Sequence, residues 1–109
     1  MSDPRRVDFS GVEPVSHDEG VTDREAEIDD TRWALVEYSA GCGREEWCAT
    51  PHAGYVLSGG ITYSFEDGRD PLVIAAGDGF ILPPAPRHRG RSDGDQPAQL
   101  FLIDALPDA

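Results

Sequence analysis

Glu46, Cys48 and His52 fall within seven residues in EEWCATPHAG, and a further histidine, His88, sits in the arginine-rich run RHRGR. A carboxylate, a thiolate and two imidazoles are the side chains that hold borderline-soft divalent ions. Their spacing suits strands, because alternate strand residues share a face: Glu46 and Cys48 point one way, Glu45 and Trp47 the other. His52 lies beyond the Thr50-Pro51 turn, where a paired strand about 4.8 Å away can bring it beside them. In RHRGR the arginines alternate with His88, so with Arg87, Arg89 and Arg91 in water the imidazole faces inward.

This donor set suits Zn²⁺ best and Fe²⁺ or Ni²⁺ acceptably, whereas the thiolate argues against Mg²⁺ or Ca²⁺. Thiolate and carboxylate together would neutralise a divalent ion and lower the cost of burying it. If Glu46 stays unbound, a coordination position remains open for water or substrate, which separates a catalytic site from a structural one. Blander readings stand beside these. Cysteine packs as a small hydrophobe, so Cys48 could be core, and a carboxylate at a barrel rim is usually solvated. A metal-free reading makes Cys48 a nucleophile activated by His52 or His88. Cys42, between two glycines, reads as a turn residue, and His17, in an acidic segment, as exposed and inert. Trp33, Trp47, Tyr55, Tyr63, Phe65, Phe80 and Phe101 read first as core or interface, with Tyr63, Phe80 and Phe101 also suited to line a cavity.

The frame that must hold these donors is small. A chain of 109 residues is one domain with one core. Residues 1–30 are polar and acidic, an N-terminal arm with room for one or two short strands. Residues 31–106 read as a barrel domain, with short β-type runs RWALVEYS, REEWCA, AGYVLS, GITYSFE, PLVIAA, GFILP, RHRGR and AQLFLIDAL. In RWALVEYS, Trp33 and Leu35 share one face and Ala34, Val36 and Tyr38 the other. The separators TP, SGG, EDGRD, AGDG, PPAP and SDGDQP supply positive or fixed φ. No stretch keeps a 3.6-residue apolar period with helix caps, so the class is all-β, a sandwich or barrel.

Nine basic residues, all arginine, against 21 acidic ones give a net charge of -12. That charge repels phosphate backbones and anionic surfaces, so neither nucleic acid nor membrane is an expected partner. The acidic, lysine-free composition also suits a high-salt cell interior, where salt screens self-repulsion. No apolar run approaches the ~20 residues of a membrane span, and MSDPRRVDFSG lacks the apolar core of a signal peptide. The expectation is a soluble cytoplasmic protein, whose reducing surroundings argue against pairing Cys42 with Cys48.

Two stretches resemble the motifs of the cupin superfamily. In GDGFILPPAPRH, Gly77, Pro83 and His88 stand in register with its second motif, while Ala85 replaces a glycine and Ser92 the closing asparagine. The first motif is a His-x-His pair followed by a Glu, with six residues between that Glu and a turn glycine. Counting back from Gly59, His52 takes the Glu position, Cys48 the second His and Glu46 the first; the leading glycine should fall at Ala40, one short of Gly41. The resemblance implies a double-stranded β-helix, or jelly-roll, barrel over roughly residues 32–104. It also implies a divalent metal, a small-molecule ligand, and a homodimer through strand exchange or sheet stacking. Its chemistry would be of dioxygenase, isomerase or lyase type; the alternative is a non-catalytic protein that binds or senses a small molecule or metal.

Overall fold

The computed structural model describes residues 4–106. After a 3₁₀ turn at Phe9–Gly11, capped by Asp8, come nine strands. They are β1 (Val15–Asp18), β2 (Val21–Ile28), β3 (Thr31–Tyr38), β4 (His52–Ser58), β5 (Gly60–Phe65), β6 (Leu72–Ala75), β7 (Gly79–Leu82), β8 (His88–Ser92) and β9 (Ala98–Ala105). They form a six-stranded sheet, β1-β2-β3-β9-β4-β7, and a three-stranded one, β6-β5-β8, with antiparallel neighbours throughout. This is the expected all-β jelly roll. No helix among the described residues is long and apolar enough to cross a membrane.

The alternation read from the sequence sets the faces. In β9, Ala98, Leu100, Leu102 and Asp104 are buried, while Gln99, Phe101, Ile103 and Ala105 face outward. In β3, Ala34, Val36 and Tyr38 share a face, as expected, and that face points inward. Ile61, Tyr63 and Ile74 of the smaller sheet and Val56, Phe80 and Leu82 of the larger close one core with them, Val21 and Leu100. Gly54 sits inward on β4 because a Cβ there would meet Phe80 at 2.5 Å and Leu102 at 2.7 Å.

Two expectations meet a different arrangement. The boundary placed at residue 31 falls within the β2–β3 hairpin, which pairs Val21 with Tyr38 through to Ile28 with Thr31. Its turn is possible because Asp29 takes a left-handed φ of 55°. The segment REEWCA is not a strand. The chain meets β8 here at two isolated bridges, Gly43, the residue before this segment, to Arg91, and Cys48 to His88. The five steps from Gly43 to Cys48 oppose three from His88 to Arg91, so two extra residues arch away and alternation is lost between them.

Candidate metal centre

Four short stretches converge at one end of the barrel. Arg32 of β3 pairs across the sheet with Asp104 of β9. His52 opens β4 one residue before Ala53, which pairs with Ile103, so its side chain stands beside that of Asp104. On the opposite sheet His88 opens β8, inward as the arginine alternation requires: His88 is 2 % exposed, while Arg89 and Arg91 are exposed. Cys48 is fixed against His88 by reciprocal backbone bonds, Cys48 N donating to His88 O at 2.8 Å and His88 N to Cys48 O at 2.9 Å. The donor atoms of Cys48, His52 and His88 lie within 4.8 Å of one another.

Hydrogen bonding orients the set. His52 Nδ1 lies 2.5 Å from Asp104 Oδ1, and Arg32 Nη2 donates to Asp104 Oδ2 at 2.7 Å. With Nδ1 held by the carboxylate, Nε2 faces Cys48 Sγ at 4.0 Å; the sulfur also accepts from Thr50 N at 3.4 Å. The His88 ring packs edge-on to His52 and Tyr63, with centroids 5.2 and 5.6 Å away, and neither ring nitrogen has a hydrogen-bond partner among the described residues.

Charges follow this geometry. The His52 imidazole, with His88 behind it, lowers the Cys48 thiol to about 5 despite its burial. Burial alone would depress His52, but the Asp104 carboxylate and the Cys48 sulfur outweigh it and raise the imidazole to about 9. Asp104 is pushed up by burial, yet His52 and Arg32 hold it below the ordinary carboxylate range. Burial pushes the nearby Tyr38 up to about 12.

Two imidazoles and a thiolate fit a divalent transition metal. Donors sharing a tetrahedral zinc ion stand ~3.3–3.6 Å apart, so the sulfur and Nε2 at 4.0 Å need only a small closure. A buried imidazole with neither nitrogen bonded is costly, and coordination through one nitrogen would remove that cost. The carboxylate behind His52 is the outer-shell arrangement that fixes a ligating imidazole.

Of the residues singled out by sequence, the structure brings Cys48, His52 and His88 together and leaves Glu46 apart. Glu46 is exposed on the arched segment at the cavity rim. The two extra residues void the shared-face argument, and Arg89 holds the arch outward, stacked over Trp47 at 4.1 Å and donating to Glu45 O. Cys42 packs against the core beside Gly20, away from the donors. Sequence reasoning missed Asp104. Its signal lay in AQLFLIDAL, where an acidic residue occupies the inward register of Ala98, Leu100 and Leu102. It also missed His17, which lines the same cavity of about 420 Å³.

A family model described as a cupin domain matches residues 36–104. No curated protein matches the sequence. Solved structures share the fold. An RmlC-like cupin from Shewanella frigidimarina aligns at 17% identity over 96% of this chain and 93% of its own, with a TM-score of 0.75. A polyketide cyclase from Streptomyces resistomycificus aligns at 17% identity over 96% of this chain and 81% of its own, with a TM-score of 0.77. Oxalate decarboxylase from Bacillus subtilis, whose Mn(II) centres are named with its structure, aligns at 18% identity over 100% of this chain and 31% of its own, with a TM-score of 0.77.

Proposed function

The chain belongs to the cupin domain family matched over residues 36–104, and on that premise we propose a metal-dependent enzyme acting on a small molecule, with Cys48, His52 and His88 as ligands. The observation that carries this reading is His88, a fully enclosed imidazole with neither nitrogen satisfied, facing a thiol and a second imidazole. The metal is of the zinc class, with iron or nickel as the other candidates for an N₂S donor set. When bound, it would supply Lewis acidity or an oxygen-binding centre for dioxygenase, isomerase or lyase chemistry.

The remaining roles belong to the chain's own side chains. Asp104 accepts the Nδ1 proton of His52 and so keeps Nε2 directed at the cavity. Arg32 holds Asp104 ionised and in place. Cys48 contributes negative charge at neutral pH, because its thiol titrates well below it. Glu46, outside the donor set, leaves a three-donor site with room for water or substrate; from the rim it is available as a general base. Leu102, Ala34 and Val36 give the cavity an apolar wall for a small ligand.

Elemental analysis of the purified protein beside Cys48→Ala and His88→Ala tests the reading. The expected outcome is close to one equivalent of transition metal in the parent and much less in either variant. A folded parent that neither carries metal nor takes it up on reconstitution would sink it. Metal retained without turnover of any small molecule would leave a binding or sensing protein on the same site.

The reading includes a homodimer, supported by the outer face of the six-stranded sheet. There Trp33, Ile103, Ala53 and Ile81 form one cross-strand row, and Ile81 is 78% and Tyr55 45% exposed. Sedimentation should give a dimer that Ile81→Glu dissociates; a monomeric parent would refute it.

A further inference from the structure

The β1–β2 hairpin lies outside the residues matched by the family model, yet it forms part of the cavity wall. Asp23 and Glu25 alternate on the inward face of β2, beside Val36 and Ala34 of β3. His17 is the extra residue of a β-bulge: Ser16 pairs with Thr22 and Asp18 with Val21, leaving His17 out of the ladder. Such a bulge bends its strand and re-aims the side chain, here over the two carboxylates. His17 Nε2 stands 2.8 Å from Asp23 Oδ1 and 3.9 Å from Glu25 Oε2, and all three donors lie within 4.8 Å.

We infer that His17, Asp23 and Glu25 form a second divalent-cation site at the mouth of the cavity, harder in character than the cysteine site within it. Two observations beyond clustering carry this. Asp23 is only 8% exposed, and its Oδ1 makes no hydrogen bond among the described residues, although the His17 imidazole stands 2.8 Å away. A buried carboxylate oxygen left so is costly, and a cation would satisfy it. The two separations from His17, 2.8 and 3.9 Å, also match the site, since two donors bound to one ion at ~2.1 Å can stand no more than ~4.2 Å apart. The nearby cations have closer acidic partners. Arg32 reaches Asp104 at 2.7 Å but Glu25 only at 3.7 Å, and Arg44 bonds Asp18 at 2.9 Å. Two carboxylates and a neutral imidazole would balance a divalent charge. They offer one nitrogen and carboxylate oxygens, a set suited to Mn²⁺ or Fe²⁺ more than the thiolate site is. Three protein donors leave positions on a six-coordinate ion for water or an oxygen ligand in the cavity.

The test uses Mn²⁺ alone, added to metal-free full-length protein and followed by loss of the free-ion electron paramagnetic resonance signal. The Cys48→Ser/His88→Ala double variant, which removes the inner site, should still bind one Mn²⁺ per chain. Adding His17→Gln or Asp23→Asn should weaken that binding at least tenfold, with folding verified by circular dichroism; His17→Gln, on an edge strand, covers the case in which Asp23→Asn does not fold. A folded double variant that binds no Mn²⁺, or binding unchanged by both substitutions, would overturn the inference. The inner site is read separately from the sulfur-to-cobalt charge-transfer band of Co²⁺-loaded parent protein. That band depends on Cys48 and is indifferent to His17, so failure of either site leaves the other reading intact.

Discussion

Leu100 and Asp104 lie on the same strand, point the same way and are almost equally buried, at 0% and 4% exposed. Around Leu100 stand Val36 and Val56, its neighbours on the two flanking strands, so burial there removes apolar surface from water with nothing left to satisfy. Around Asp104 stand Arg32, His52 and the cavity, so the same degree of burial is tolerable only because each polar atom finds a partner. The two ends of one barrel therefore divide the work. The aliphatic end secures the fold, and the polar end holds groups in states that water would not allow.

The largest test of that division is Leu100→Ala, expected to cost about 3 kcal/mol of unfolding free energy in denaturant titrations. A loss below about 1 kcal/mol would mean the aliphatic end is not the anchor. Asp104→Asn preserves shape but removes the charge behind His52, and should weaken zinc binding ~10–100-fold, measured by competition with a chromophoric chelator. Unchanged affinity would show that the carboxylate serves the fold alone. His88→Leu should abolish metal binding yet raise the stability of the metal-free protein by about 1 kcal/mol, because it replaces two unsatisfied buried nitrogens with an apolar side chain. Destabilisation instead would place His88 with the core.

The smallest effect is on pH dependence in the metal-free protein. Cys48, lowered from 9.0 to about 5, contributes stability that is complete above pH 9 and lost as pH falls to 5. His52, raised from 6.5 to about 9, contributes stability that is complete below 6.5 and lost as pH rises to 9. Between 6.5 and 9 the two slopes oppose each other and stability should be level, with a decline from 6.5 to 5. Thermal melts should show that acid limb, and Cys48→Ala should flatten it; a limb unaffected by the substitution would contradict the paired state.

Much of this was legible in the chain. Of the eight runs read as strands, seven are β3 to β9 and only REEWCA is not a strand, and the resemblance in GDGFILPPAPRH is upheld by the family match and the fold. The inward direction of His88 followed from its arginine neighbours. Glu46 was misplaced because alternation holds only within a regular strand, and nothing local marked the two extra residues opposite His88–Arg91. His17 was read as inert because a bulge depends on how β1 registers against β2, which its own four residues do not encode.

Sequence alone determined the local terms: which faces are apolar, where the chain turns, which side chains can ligate. Period-two alternation and glycine or proline at turns act over a few residues, so they are written in the order of the chain. Tertiary structure alone decided which donors meet. Asp104 stands beside His52, 52 positions away in the chain, and the bridge from Cys48 to His88 spans a similar gap. Such partners are chosen by cross-strand register, a property of the closed sheets and of no single segment.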